Sequence, residues 1–160
     1  MSKFYADSML GKLSRFLRFL GYNTLYRTEE SVEDMLEISS QEERIVLSQA
    51  RQVVALCKKR NIQALSMPTT NINDQLITLK SNLNISFSIP PAEMRCSICN
   101  GDLNRKDKDE IIESIPEGTA KFYDVFWQCN LCNKIFWMGS HWEEIKKIIE
   151  NTNMVDLNEG

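Results

Sequence analysis

The sequence lacks any apolar run approaching the roughly 20 residues that a bilayer-spanning helix needs, and residues 1–12 lack the apolar core of a secretory signal. No membrane partner is expected, and a cytoplasmic protein is predicted. Positive charge is also in short supply, with a net charge of −3. Residues 1–90 carry 11 Lys+Arg against 9 Asp+Glu, and residues 91–160 carry 8 against 13. The chain is therefore no polybasic nucleic-acid binder, and any RNA contact has to use a local cationic patch. Hydrophobic content of 42% and charged content of 26% are ordinary for a soluble globular protein. The 160 residues suffice for one good core, or for one domain with a small appendage.

Cysteine is sparse but grouped. Cys57 stands alone, whereas Cys96, Cys99, Cys129 and Cys132 form two C-x-x-C pairs separated by 29 residues. In a cytoplasmic chain this pattern reads as metal binding rather than disulfide bonding. Four thiolates at this spacing build a tetrahedral zinc site from two tight knuckles, and a unit this small has too little apolar area to fold without its metal. An all-cysteine iron or redox site uses the same ligands, but the ribbon-like spacing favours zinc. Cys57 falls on the apolar side of a helix beside Val53 and Val54, where a free thiol behaves as a small hydrophobe. His141 is the lone histidine, open to an RNA-contacting or catalytic role, and it follows Ser140. Ser140 and Glu143 read as a capping box opening a last helix to about Asn151, with residues 152–160 as a flexible tail.

The stretch FYADSMLGKLSRFLRFLGY, residues 4–22, sets an acid between a strand and a helix. Phe4, Tyr5 and Ala6 suit a short buried strand. Met9, Leu10, Leu13, Phe16, Leu17 and Leu20 then recur at the spacing of one apolar helical stripe, and Gly21 ends the helix. At 100° per residue Lys12, Arg15 and Arg18 share the opposite face with Phe19. Asp7 thus either caps the helix or stands where ligands bind in open α/β sheets. Further strands are predicted at 22–26, 44–48 and 62–67, and further helices at 32–40, 49–60 and 72–83. Strands alternating with helices give a parallel sheet covered on both faces. The Pro-Pro pair at 90–91 breaks the pattern, placing an α/β domain at 1–88 and a zinc ribbon with C-terminal helix at 92–151. Within the ribbon, 106–117 reads as a charged helix. Phe122, Tyr123, Phe126 and Trp127 read as ribbon cover or as a base-stacking platform.

Together FYADSMLGKLSRFLRFLGYNT, RIVLS, RCSICNGDL and YDVFWQCNLCNKIFWMGSHW resemble the PIN-like ribonuclease family named for the C-terminal domain of the Mut-seven exonuclease, over roughly residues 3–150. The resemblance implies a PIN-like parallel sheet flanked by helices with a C-terminal zinc ribbon. It also implies acids gathered at the strand ends around Mg²⁺ or Mn²⁺, which activate water and stabilise the charge developed in phosphodiester cleavage. Asp7 matches the first of those acids. Glu33, Asp34 and Asp74 are candidates for the others, each equally explained as a helix-start carboxylate. The chain departs from the family at Leu47-Ser48-Gln49-Ala50, where L-T-R-D is usual, and at Asn73, where an acid is common. The expected function is a metal-dependent ribonuclease. The alternatives are an RNA- or ribosome-associated module that has lost cleavage, and a zinc-stabilised protein adaptor, with Lys12, Arg15, Arg18 and Phe19 as the RNA-contacting face.

Overall fold

The computed structural model describes residues 1–158, with side chains as far as Val155. The first half of the chain alternates strand and helix: β1 (Phe4–Ala6), a 3-10 turn (Ser8–Leu10), α1 (Gly11–Phe19), β2 (Thr24–Leu25), α2 (Val32–Gln41), β3 (Ile45–Ser48), α3 (Arg51–Lys59), β4 (Ala64–Ser66) and α4 (Ile72–Asn82). The four strands form one parallel sheet in the order β2-β1-β3-β4.

Residue alternation along the strands divides the core between the two faces of this sheet. Phe4, Ala6, Ile45 and Leu47 point to the face covered by α1 and α4, where Leu13, Leu17, Leu76 and Leu79 are buried. Tyr5 and Val46 point to the other face, covered by α2 and α3 through Leu36, Val53 and Cys57. Cys57 is fully buried there, and burial pushes its thiol pKa up. Gly21 closes α1 with φ +93°, and a Cβ there would lie 2.6 Å from the Glu93 carbonyl oxygen. Only glycine suits both that conformation and that approach.

The remainder is β5 (Leu103–Lys106), α5 (Lys108–Ile111), a second 3-10 turn (Ile112–Ser114), α6 (Glu117–Phe122), β6 (Phe126–Cys129), β7 (Ile135–Phe136) and α7 (Ser140–Asn158). Strands β5, β6 and β7 make an antiparallel ribbon whose small core is Ile111, Ile115 and Phe126.

Several expected boundaries shift. Met9 is 72% exposed rather than part of the apolar stripe, because the 3-10 turn rotates it off the α-helical face. The helix expected at 106–117 is broken: Lys106 pairs in β5 and the charged stretch yields two short helices. Ser140 is the first residue of α7 rather than its cap. Helix α7 also runs past Asn151 to Asn158, so most of the expected tail is helical, with Thr152 buried; residues 159–160 lie outside the described ones. The reason is packing. Ile149 is fully buried in the α/β core, Lys80 Nζ donates to Asn153 Oδ1, and Asn153 Nδ2 donates to the Phe87 carbonyl. Although the sequence groups this helix with the ribbon, its buried contacts are with α4 and the first core.

That packing predicts the effect of Ile149→Ala. Emptying a fully buried isoleucine site should cost about 3 kcal/mol. Urea unfolding followed at the α/β domain should show the loss, while zinc content stays unchanged. Unaltered α/β stability would contradict this role for α7.

Candidate functional site

Two chemically distinct centres stand on this fold, the cysteine cluster and the crevice at Asp7. The four cysteine sulfurs lie within 4.8 Å of one another, with Cys96 and Cys132 at 3.6 Å and Cys99 and Cys129 at 3.3 Å. A tetrahedral zinc with bonds of about 2.3 Å holds its sulfurs about 3.8 Å apart, so the cluster fits that ion. Both knuckles are built alike. Asn100 N–H donates to the Cys96 carbonyl and Asn133 N–H to the Cys129 carbonyl, and both asparagines take left-handed backbone. Cys96 and Cys129 N–H then donate to the Gly101 and Lys134 carbonyls, closing each loop. Gly101 has no room for a side chain, since a Cβ would stand 2.8 Å from Cys129 Sγ.

The electrostatics also call for a cation. Burial drives the Cys96 thiol up to about 12, the backbone N–H groups of Cys99 and Ile98 working against it. Burial acts on Cys129 in the same sense, but N–H donation from Cys132 and Leu131 outweighs it and brings that thiol down to about 7. Four sulfurs this close ionise together only around a positive ion, and zinc would supply the charge.

The first knuckle is anchored by a residue assigned above to the RNA face. Arg18 is 5% exposed, and its guanidinium donates to the carbonyls of Thr24 at 2.9 Å, Ser97 at 2.8 Å and Ile98 at 3.3 Å. Its own carbonyl accepts from Arg95 N–H at 2.8 Å. Asn100 completes the joint, accepting from Thr24 N–H at 3.0 Å and donating to Asn23 Oδ1 at 2.8 Å. Of the expected cationic face, Lys12 and Arg15 remain exposed and Phe19 is half-buried against Trp142, with ring centroids 4.7 Å apart. The 100° step places Arg18 near Lys12 and Arg15, but it carries no information that a second unit covers the last turn of the helix.

Asp7 follows β1, and Ser48 ends β3. These strands are neighbours on either side of the point where chain direction across the sheet reverses, the place in open α/β sheets where a crevice forms. Asp7 Oδ2 accepts from Ser48 Oγ at 2.6 Å, and Oδ1 accepts from Ser8 N–H at 2.6 Å. The cap and the crevice therefore coexist in one side chain. Ser48 Oγ also accepts from Ala50 N–H at 3.0 Å, and Ala50 is an N-cap of α3 without a capping side chain.

The other expected acids stand at the starts of α2 and α4. Exposed Glu33 receives both terminal nitrogens of Arg60, at 2.8 and 2.7 Å, and these hydrogen bonds lower its pKa. Asp34 and Asp74 stand exposed in the first turns of α2 and α4. Asn73 has a buried side-chain oxygen with no partner. Among the described residues the four cysteines form the one cluster of three or more such ligands close enough to hold an ion. A hard divalent cation needs several oxygen ligands, of which Asp7 would supply one. Ser48, the immediate partner of Asp7, escaped sequence reasoning because a strand-end serine has no distinguishing spacing.

A doubly covered parallel sheet with a carboxylate at its switch point and a docked four-cysteine ribbon defines an α/β protein of the PIN-like, ribbon-bearing class. The chain belongs to the Mut7-C RNAse domain family, whose model matches residues 2–149. No curated protein and no solved structure matches it. The family carries a ribonuclease-like role. Among the described residues no helix is long and apolar enough to cross a membrane.

Two substitutions test the cysteine cluster and its anchor. Cys129→Ser should release zinc and unfold the ribbon, and it should also lower the melting temperature of the α/β part, because two of Arg18's acceptors belong to the first knuckle. Zinc at full occupancy in that variant, by metal analysis, would count against the assignment. Arg18→Ala leaves buried carbonyls without a donor and should cost about 3 kcal/mol in urea unfolding. Arg18→Lys should recover little of this, since an ammonium lacks the guanidinium's fixed fork.

Proposed function

We propose that this protein acts on RNA in the cytoplasm through the Asp7 crevice, as a ribonuclease-type domain that binds RNA much better than it cleaves it. The observation carrying this reading is the pairing of Asp7 with Ser48 beside Ala50 at the strand ends. Its carboxylate is fixed at the switch point by Ser48 and Ser8, while Ala50 offers a methyl group where the family resemblance implies an acid. A carboxylate so placed marks the ligand end of the sheet. A lone carboxylate leaves a hard cation with mostly water ligands, so hydrolysis depending on such an ion is slow. Family membership supports RNA as the substrate class, and exposed Lys12 and Arg15 on the helix leading from Asp7 supply the local positive charge that the acidic chain otherwise lacks.

The test is restoration. Ala50 N–H is bonded to the same Ser48 hydroxyl that holds Asp7, so the backbone of position 50 borders the same crevice. Ala50→Asp should raise Mn²⁺ affinity about tenfold by calorimetry and increase RNA cleavage, and Asp7→Asn in that background should abolish both gains. The new aspartate also caps α3, adding about 1 kcal/mol of stability whether or not metal binds. Stability measured without metal separates the two effects. Brisk Mn²⁺-dependent cleavage by the wild type, unchanged in Ala50→Asp, would overturn the proposal.

A further inference from the structure

The strand-end crevice leaves unexplained a second concavity, a groove of about 570 Å³ between α1, the ribbon and the start of α7. Trp127 and Phe136 stand directly opposite each other in the β6–β7 register, so their rings share one face of the ribbon and line the groove. Phe19 and Trp142 form the facing wall as a tilted pair. All four rings are half-buried, supported from behind yet reachable from the groove. Its lining also includes Lys12, Arg15 and Lys134, and no Asp or Glu, although the chain as a whole has more acidic than basic residues. Lys134 Nζ lies 6.0 Å from the Phe136 ring centre, and Arg105 stands opposite Trp127 in the β5–β6 register.

We propose that this groove binds an unpaired segment of RNA, its bases stacking on the Trp127–Phe136 and Phe19–Trp142 rings and its phosphates following Arg15 and Lys12 toward Asp7. The proposal rests on the reading that the protein acts on RNA, and it names the form of RNA and the surface that selects it. Flat rings with accessible faces, combined with cations and free of carboxylates, are the means by which single strands are held without base-pair readout. A duplex keeps its bases stacked on one another and offers nothing to these rings. An acidic peptide would satisfy the cations but make no use of four aromatic faces. Lys12, Arg15 and Phe19 are spaced i, i+3 and i+7 on one side of α1, spanning about 10 Å from the turn that Asp7 caps to the groove. A strand held in the groove is thereby led along one helix to the crevice.

Fluorescence anisotropy with a labelled single-stranded oligoribonucleotide, its duplex and a labelled polyglutamate peptide tests this on the zinc-loaded full chain. Expected are preferential single-strand binding, quenching of tryptophan fluorescence, and affinity reduced about tenfold in Trp127→Leu. The exposed pair Lys12→Glu and Arg15→Glu, which risks no core packing, should weaken binding at least as much and flatten its salt dependence. Equal affinity for duplex, or single-strand affinity untouched by both groove variants, overturns the groove while leaving action on RNA intact. Failure of the wild type to bind any RNA at low salt overturns both. Peptide bound in preference to RNA assigns the groove to a protein partner instead.

Discussion

Arg18 donates at once to a carbonyl of β2 and to two carbonyls of the first zinc knuckle, while its own carbonyl receives Arg95 N–H. A guanidinium with this little exposure is costly to bury unless its donors are used, and here the carbonyls of two units use them. The partners exist only when the knuckle is folded, and the knuckle folds only around its four sulfurs. Arg18 therefore ties the packing of the last turn of α1 to the first knuckle, about 80 positions away in sequence, and zinc held by the four cysteines would secure that tie. Asn100 and Asn23 extend the joint toward Arg44, which reaches both Asn23 and the carbonyl of Phe4 in β1. A continuous polar network thus runs from the metal knuckle to the strand that ends at Asp7.

The position of Asp7 follows from the sheet rather than from its own neighbours in sequence. Strand β1 has β2 on one side and β3 on the other, and α1 and α2 cover opposite faces, so the chain parts company with itself at the ends of β1 and β3. Asp7 N–H still pairs with the Leu47 carbonyl across the two strands, and beyond it a carboxylate, a hydroxyl and the N-terminus of α3 meet in the gap. Such a place suits anionic or polar ligands whatever the chemistry performed on them. Chemistry beyond binding needs further groups, and one sequence candidate is paired elsewhere: Glu33 bonds to Arg60 at the end of α3.

Features set by local periodicity were legible in the sequence. The apolar runs of β1 and β3, the apolar stripe of α1 from Leu10 to Leu20 and the doubled C-x-x-C spacing each depend on residues close together in the chain, and each has its expected structural counterpart. What escaped prediction depends on contacts across long separations. Arg18 has the helical phase of an exposed residue and is buried by residues 97–98. Helix α7 is only weakly amphipathic in sequence, and its extension to Asn158 follows from the α4 surface and Phe87 that it covers. The aromatic run was legible as a run but not as a site: Phe126 turns into the ribbon core, Phe122 is 81% exposed, and Tyr123 and Trp127 reach the groove. Strand alternation separates Phe126 from Trp127, since neighbours in a strand face opposite ways, while Phe122 ends α6 and Tyr123 follows it.

The same register joins zinc to the proposed RNA surface. Cys129 ends β6 two residues after Trp127, and Cys132 lies in the turn that leads to Phe136 in β7. Metal that closes the second knuckle also holds β6 and β7 in the pairing that sets Trp127 against Phe136. The opposite wall is fixed separately, by Phe19 on α1 and Trp142 on α7, both anchored in the α/β core through Leu17, Leu20 and Ile149. One wall is thus metal-dependent and the other is not, and Arg18 sets the separation between them. Such a groove keeps its cationic residues on α1 when zinc is lost but loses half of its aromatic surface. Residual attraction for a polyanion then rests on the α1 cations and the Phe19–Trp142 pair, and selection between single and double strands weakens.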